Sequence, residues 1–202
     1  MPCYAFEHII PVVHPSAFVH ETAVLIGDVF VGDGCFVGPG AVLRGDISRI
    51  EMMRGSNVQD TCVVHSYPGK DVVIADDGHV GHGAVLHGCA VGRNSLIGMN
   101  AVLMDDVQVG ADCIVGAMSF VSEGTTLPPR TLWAGTPAKQ IRELSDREIG
   151  WKSEGTQIYQ HLAQRYRETT HAVEPLTQAD AARLSQHVPG VGYETKDTFN
   201  NS

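Results

Sequence analysis

Residues 91–127 read VGRNSL, IGMNAV, LMDDVQ, VGADCI, VGAMSF and VSEGTT, closed by Leu127. An aliphatic residue opens every hexad: Val91, Ile97, Leu103, Val109, Val115, Val121 and Leu127. Towards the N-terminus the same spacing runs through Val13, Val19, Leu25, Val31, Val37 and Leu43. It resumes at Val58 and Val64, and again at Ile74, Val80 and Leu86. Four positions after these markers stands a small or β-branched residue, as at Ala17, Ala23, Val29, Cys35, Ala41, Cys62, Ala84, Ala90, Ser95, Ala101, Cys113 and Ser119. A helical period of 3.6 cannot sustain a repeat of six. A parallel β-helix can, because each hexad supplies one short strand and a turn, and stacked coils bury the aliphatic ladder. The expected fold class is therefore all-β.

Outside the ladder the expected organisation is simple. The β-helix fills 1–140. A C-terminal α-helix, opened by the capping box Ser145-x-x-Glu148, lies within 141–172 and packs on it. Residues 173–202 form a tail with room for a short helix near 178–187. Trp151, Ile158, Tyr159, Leu162 and Tyr166 can share one helix face, with Gly155 as a candidate break. The residues just before the markers, including Phe18, Phe30, Phe36, Val42, Val63 and Val85, should point outwards. So apolar an outer face needs a cover, either this helix or another subunit.

The 202 residues carry 14 Lys and Arg against 23 Asp and Glu, a formal charge of −9. Nucleic-acid and membrane-surface binding both need a basic face, so neither is expected. No apolar run approaches the ~20 residues that span a bilayer, and the N-terminus lacks the features of a signal peptide, so the expected location is cytoplasmic. The five cysteines form no CxxC pair and read as reduced thiols.

The histidines carry the chemistry. Three hexads make one coil, so positions one coil apart stack at ~4.8 Å. Leu43, Val64 and Leu86 are one coil apart if Ile50 and Val58 are displaced markers and 66–73 is a loop. Arg44, His65 and His87 each follow their marker and should form one column. Two stacked histidines can bind one zinc through bonds of ~2.0–2.1 Å. Asp60 and His82 fall in a second column on another corner, where His82 does not easily reach the same ion. A neighbouring chain can supply it, which points to a homotrimer with metal sites between subunits. His79 reads as a supporting or structural residue, and His8, His14, His20, His161, His171 and His187 as solvated or hydrogen-bonded.

LRGD (43–46), NVQD (57–60), VVH (63–65), VGH (80–82) and LHGC (86–89) together resemble the γ-class carbonic anhydrase family of left-handed β-helices, over roughly residues 10–165. The resemblance implies a left-handed coil and a metal, Zn2+ with Fe2+ or Co2+ as alternatives. Its ligands would be His65 and His87 of one chain and His82 of the next. It also implies an Arg44–Asp60 pair across the interface with Asp46 beside it, Gln59 on the metal-bound water, Asn57 supporting the site, and Tyr159 reaching in from the helix. The segments AGTPAKQIRELS and WKSEGTQIYQHLAQRY look closest to the PaaY/CaiE group, which accompanies phenylacetate degradation and carnitine metabolism. VEPL (173–176) favours the PaaY side, whose members are described as thioesterases acting on CoA intermediates. One departure weakens the case for fast CO2 hydration. The archetypal archaeal member carries acidic proton-shuttling residues after the RxD motif and past the first ligand, where this chain has Ile47 and SYPGKD.

A site with three histidines leaves one metal position open for water, whose pKa can fall to ~7. The expected function is that of a zinc-dependent, γ-carbonic anhydrase-like enzyme of the PaaY type. Its metal-bound hydroxide would hydrolyse (hydroxy)phenylacetyl-CoA-type thioesters, hydrate CO2 to bicarbonate, or both. The alternative is a hexapeptide-repeat acyltransferase, which needs one interfacial histidine as base and no metal. A non-catalytic trimeric scaffold is the third reading. Arg130, Lys139 and Arg142 are candidates for a CoA patch, and equally ordinary solvated charges.

Overall fold

A computed structural model describes residues 3–178. Its strands stack in parallel as the three faces of a prism, the left-handed parallel β-helix of hexapeptide repeats. On the first face Leu25, Leu43, Val64, Leu86, Leu103 and Val121 are register partners in one column. On the second the column is Val13, Val31, Met52, Ile74, Val91, Val109 and Leu127. On the third it is Val19, Val37, Val58, Val80, Ile97, Val115 and Trp133. Nearly all of these side chains are buried, and each fully buried Val, Leu or Ile contributes roughly 1.5–3 kcal/mol. The small residues lie inside too, except Ala90, whose interior place is taken by Cys89.

Corners are cut by residues in the left-handed backbone region. Through the regular stretch these are Asn94, Asn100, Asp106, Asp112, Met118, Gly124 and Arg130, one per hexad. Asn, Asp and Gly tolerate this conformation best, which explains why they punctuate the repeat.

Two details of the sequence reading change. The marker that stacks on the second face is Met52, not Ile50; Ile50 is buried beside it, opposite Val29 and Val72. The cause is an irregularity where strands Val24–Val31 and Val42–Met52 run unbroken around a corner. Gly27 and Gly45 permit that corner, because a Cβ on Gly27 would lie 2.4 Å from the Gly45 carbonyl oxygen. The expected loop 66–73 is shorter than its range, since strand Val72–Ile74 has already resumed the ladder.

The third face ends in Thr131–Gly135, paired antiparallel with Ala138–Glu143. Helix α1 follows at Asp146–Thr169, so β-structure runs three residues past 140 and the helix occupies the middle of 141–172. Ser145 caps it, and Glu148 returns the bond to complete the capping box. Gly155 does not split it. The buried helix face is also turned from the expected one: Lys152, Thr156 and Ala163 are buried, with Tyr159 and Tyr166 between and beyond them, while Trp151, Ile158 and Leu162 lie on its half-buried flank. Phe18 and Phe36 stack at 5.4 Å and meet Tyr166 at 4.9 and 5.6 Å, so the helix covers the outer aromatics of the third face. Val63 remains exposed. No helix among the described residues is long and apolar enough to cross a membrane. The expected short helix near 178–187 lies outside the described residues, apart from its first position.

Candidate functional site

The ladder places the first histidine pair by register alone. Arg44 pairs with His65, and His65 with His87, on three successive coils. His65 Nδ1 and His87 Nε2 stand 3.1 Å apart. The outer nitrogen of each ring meets a carboxylate: His65 Nε2 lies 3.1 Å from Asp46 Oδ1, and His87 Nδ1 2.5 Å from Asp105 Oδ1. Arg44 donates to Asp46 at 2.6 Å. Burial opposes ionisation of Asp46, but the hydrogen bonds from Arg44 and His65 outweigh it and hold the carboxyl below its usual range.

His82 is held elsewhere, on the third face, where Val58 and Val80 are register partners. Its Nδ1 lies 2.5 Å from Asp60 Oδ2. That contact fixes the tautomer: the proton is on Nδ1, and the lone pair on Nε2 faces the Tyr159 hydroxyl at 3.5 Å. Gly81 just before it has no room for a side chain, since a Cβ would lie 2.9 Å from the Ile97 carbonyl oxygen. Burial, with Asp60 nearby, pushes the Tyr159 phenol up to about 12, so it keeps its proton.

Gln59 and Asn57 form a third cluster, buried under the helix. Gln59 Nε2 donates to Asn57 Oδ1 at 3.1 Å and to His79 Nε2 at 2.6 Å. His79 then carries its proton on Nδ1, directed at Thr156 Oγ1 at 3.3 Å. Burial, reinforced by Lys152 and His82, pushes His79 down to about 3, so its ring stays neutral. Asn57 Nδ2 is buried with no hydrogen-bond partner. A cavity of about 540 Å3 opens beside Gln59, His79, His82 and Tyr159, between helix and prism.

Within one chain the expected residues are gathered in two places. Asp46, Arg44, His65 and His87 share one corner; Asp60, His82, Tyr159, Gln59 and Asn57 share the third face. Within the chain Arg44 is bound to Asp46 and Asp60 to His82, rather than to each other. Among the described residues, no group of three or more His, Cys, Asp or Glu in one chain is placed to hold a metal. The donor types nevertheless fit one. Two imidazole nitrogens face each other across 3.1 Å, with carboxylates on their far sides in the manner of metal-bound histidines. His82 carries a third lone pair on a half-exposed ring.

Three participants were missed in the sequence. Asp105 lies on the coil after His87, but Leu86 pairs with Leu103, so counting along the histidine column arrives at Met104 and stops one residue short of it. Lys152 and Thr156 gave no signal at all, since a polar residue in a helix reads as surface.

A prism of stacked hexapeptide coils defines the class of hexapeptide-repeat proteins. The bacterial transferase hexapeptide family (six repeats) matches residues 88–123. The carnitine operon protein CaiE of Salmonella agona is 51% identical over 183 residues, 91% of this chain and 92% of its own. The Escherichia coli K12 protein of the same name is 50% identical over 183 residues, 91% and 93% of the two chains. A hexapeptide transferase family protein from Anaplasma phagocytophilum superposes with a TM-score of 0.79 at 34% identity, covering 82% of this chain and 98% of that one. A Bacillus cereus protein described as an acetyltransferase gives 0.81 at 34% identity, covering 82% and 96%. The chain belongs to the hexapeptide-repeat family, with CaiE proteins among its relatives, in agreement with the resemblance to the PaaY/CaiE group.

Proposed function

We propose that the protein is a metal-dependent hydrolase of acyl-CoA thioesters, of the PaaY type, with CO2 hydration as an accompanying activity. Phenylacetyl-CoA and its ring-hydroxylated relatives are the substrates expected. The observation that carries the reading is the His65–His87 pair, two imidazole nitrogens 3.1 Å apart with an aspartate behind each ring. His65 and His87 of one chain and His82 of a neighbour in a homotrimer would hold the ion, zinc first, with Fe2+ or Co2+ as alternatives. Once bound, a divalent metal of this kind acidifies water and polarises a carbonyl oxygen.

The chain's own residues do the rest. Asp46 and Asp105 keep the paired rings in position, and Asp60 keeps the His82 lone pair outward. Gln59, fixed by Asn57 and His79, orients the attacking water. In the hydrolysis the water oxygen bonds to the acyl carbon and the carbon–sulfur bond breaks. The electron pair leaves with sulfur, one water proton ends on the thiolate, and the other is released as the acid ionises. Tyr159, protonated at neutral pH, donates to the departing sulfur or to the carbonyl oxygen.

The test is phenylacetyl-CoA hydrolysis by zinc-loaded protein, followed by thioester absorbance, with His87→Ala as control. Turnover that disappears in the variant is expected; none in either protein, with metal bound, overturns the thioesterase reading and leaves CO2 hydration.

A second reading, transfer of an acyl group from CoA to an acceptor amine or hydroxyl, draws on the His82–Asp60 pair as an oriented base. The names of the Anaplasma and Bacillus structures also favour it. Acceptor-dependent release of CoA that survives a chelator would establish it.

A further inference from the structure

The cavity under the helix extends well beyond what a reacting carbonyl needs. Its polar groups come almost entirely from two successive coils of the third face, Gln59 on one and His79 and His82 on the next, with Tyr159 above them. The following two coils add apolar surface: Leu96 and Ile97 on one, Ile114 and Val115 on the other. Two coils are roughly 10 Å of depth. The floor is flat because the residue after each marker is glycine, at positions 81, 98 and 116. The roof is helix α1, where Gly155 lines the cavity between Trp151 and Ile158. A glycine inside a helix costs about 1 kcal/mol relative to alanine. Here it lines the chamber without adding a side chain to it.

We propose that this chamber is an acyl pocket. It takes the apolar chain or ring of a thioester whose carbonyl lies beside His82 and Tyr159, with the acyl part running across the glycine floor towards Ile114. Its size, near 540 Å3, suits an extended alkyl or aryl group and far exceeds CO2 or an acetyl group. Gly155 and the floor glycines then set the upper size of the acyl group. The identity of the reacting end rests on the hydrolase reading; the pocket itself does not.

Binding without chemistry separates the two. The probes are S-methyl- and S-octyl-coenzyme A, thioethers that cannot be hydrolysed, titrated calorimetrically against the full chain. The octyl compound should bind more tightly by threefold to fourfold for each methylene buried. Gly155→Leu, a favourable exchange for the helix itself, should abolish that gain with the circular dichroism unchanged. Ala117 also lines the chamber, next to Gly116, so Ala117→Phe should shorten the gain from the floor side, and serves if Gly155→Leu disturbs the helix. Equal affinities for the two thioethers, or a chain-length gain untouched by both substitutions, would overturn the pocket. A gain that both substitutions remove, in a protein that turns over no thioester with metal bound, would keep the pocket and sink the hydrolase reading.

Discussion

His65 and His87 lie 22 positions apart in sequence and face each other across 3.1 Å, ring nitrogen to ring nitrogen, because Val64 and Leu86 occupy one column of the ladder. Neither ring is free to turn, since Asp46 and Asp105 hold their outer nitrogens. A carboxylate in that position typically changes metal affinity 10–100-fold. Asp105→Asn should therefore weaken zinc binding by about that range, read by competition with a chromophoric chelator, while far-ultraviolet dichroism stays the same. Unchanged affinity would mean that Asp105 does not support a ligand.

Tyr159 touches the site with its hydroxyl and the fold with its ring. Its ring lies 5.4 Å from Phe36 and 5.2 Å from His79, and its oxygen 3.5 Å from His82 Nε2. Tyr159→Phe keeps the ring contacts, so unfolding free energy should move by no more than ~1 kcal/mol. The turnover number for thioester hydrolysis should fall tenfold or more, on the order expected for loss of a positioned proton donor. A normal turnover number would remove Tyr159 from the chemistry.

Lys152 is a buried lysine at the helix interface. It donates to the Asp77 carbonyl and to Asn94 Oδ1, both at 2.8 Å. Burial pushes its pKa down to about 7; Asp77 and Asp112 resist that shift and Arg93 adds to it. The unfolded chain, with a lysine near 10.5, then binds more protons than the folded one between about pH 7 and 10.5. Stability from this group is therefore fullest above 10.5, falls as pH drops towards 7, and is flat below. The slope approaches about 1.4 kcal/mol per pH unit inside the window. Denaturant titrations across pH 7–10 should show this rise in the parent and lose it in Lys152→Met.

The thiols should divide cleanly. Cys35, Cys62, Cys89 and Cys113 are buried, and burial raises Cys62 to about 11 and Cys89 to about 12. Cys3 alone is exposed. A thiol reagent at pH 8 should label one cysteine per native chain quickly, at Cys3 by mass spectrometry, and all five only in denaturant. Rapid native labelling of Cys62 or Cys113 would contradict the packing of the prism interior.

Much of this was legible in the sequence because a solenoid is nearly one-dimensional: register follows from counting. Counting by coils puts Arg44, His65 and His87 in one column and Asp60 beside His82. It failed where the chain departs from the count. Met52 replaced Ile50 as a marker because Gly27 and Gly45 let two long strands turn a corner without a break. The helix face was misjudged because Lys152 is buried through hydrogen bonds to Asp77 and Asn94, which hydrophobic periodicity cannot register. His79 was placed as a supporting residue, and it holds Gln59; its partner Thr156 lies 77 positions away, beyond any local pattern.

The central claim is that one metal site is completed by two chains. His82→Ala and His87→Ala should each purify with the intersubunit site lacking zinc. Co-expressed and assembled together, the two variants should recover part of the zinc and part of the thioester hydrolysis, because some interfaces then pair an intact His65–His87 with an intact His82. Full zinc in either variant alone, or no recovery in mixed assemblies that demonstrably contain both chains, would contradict the claim.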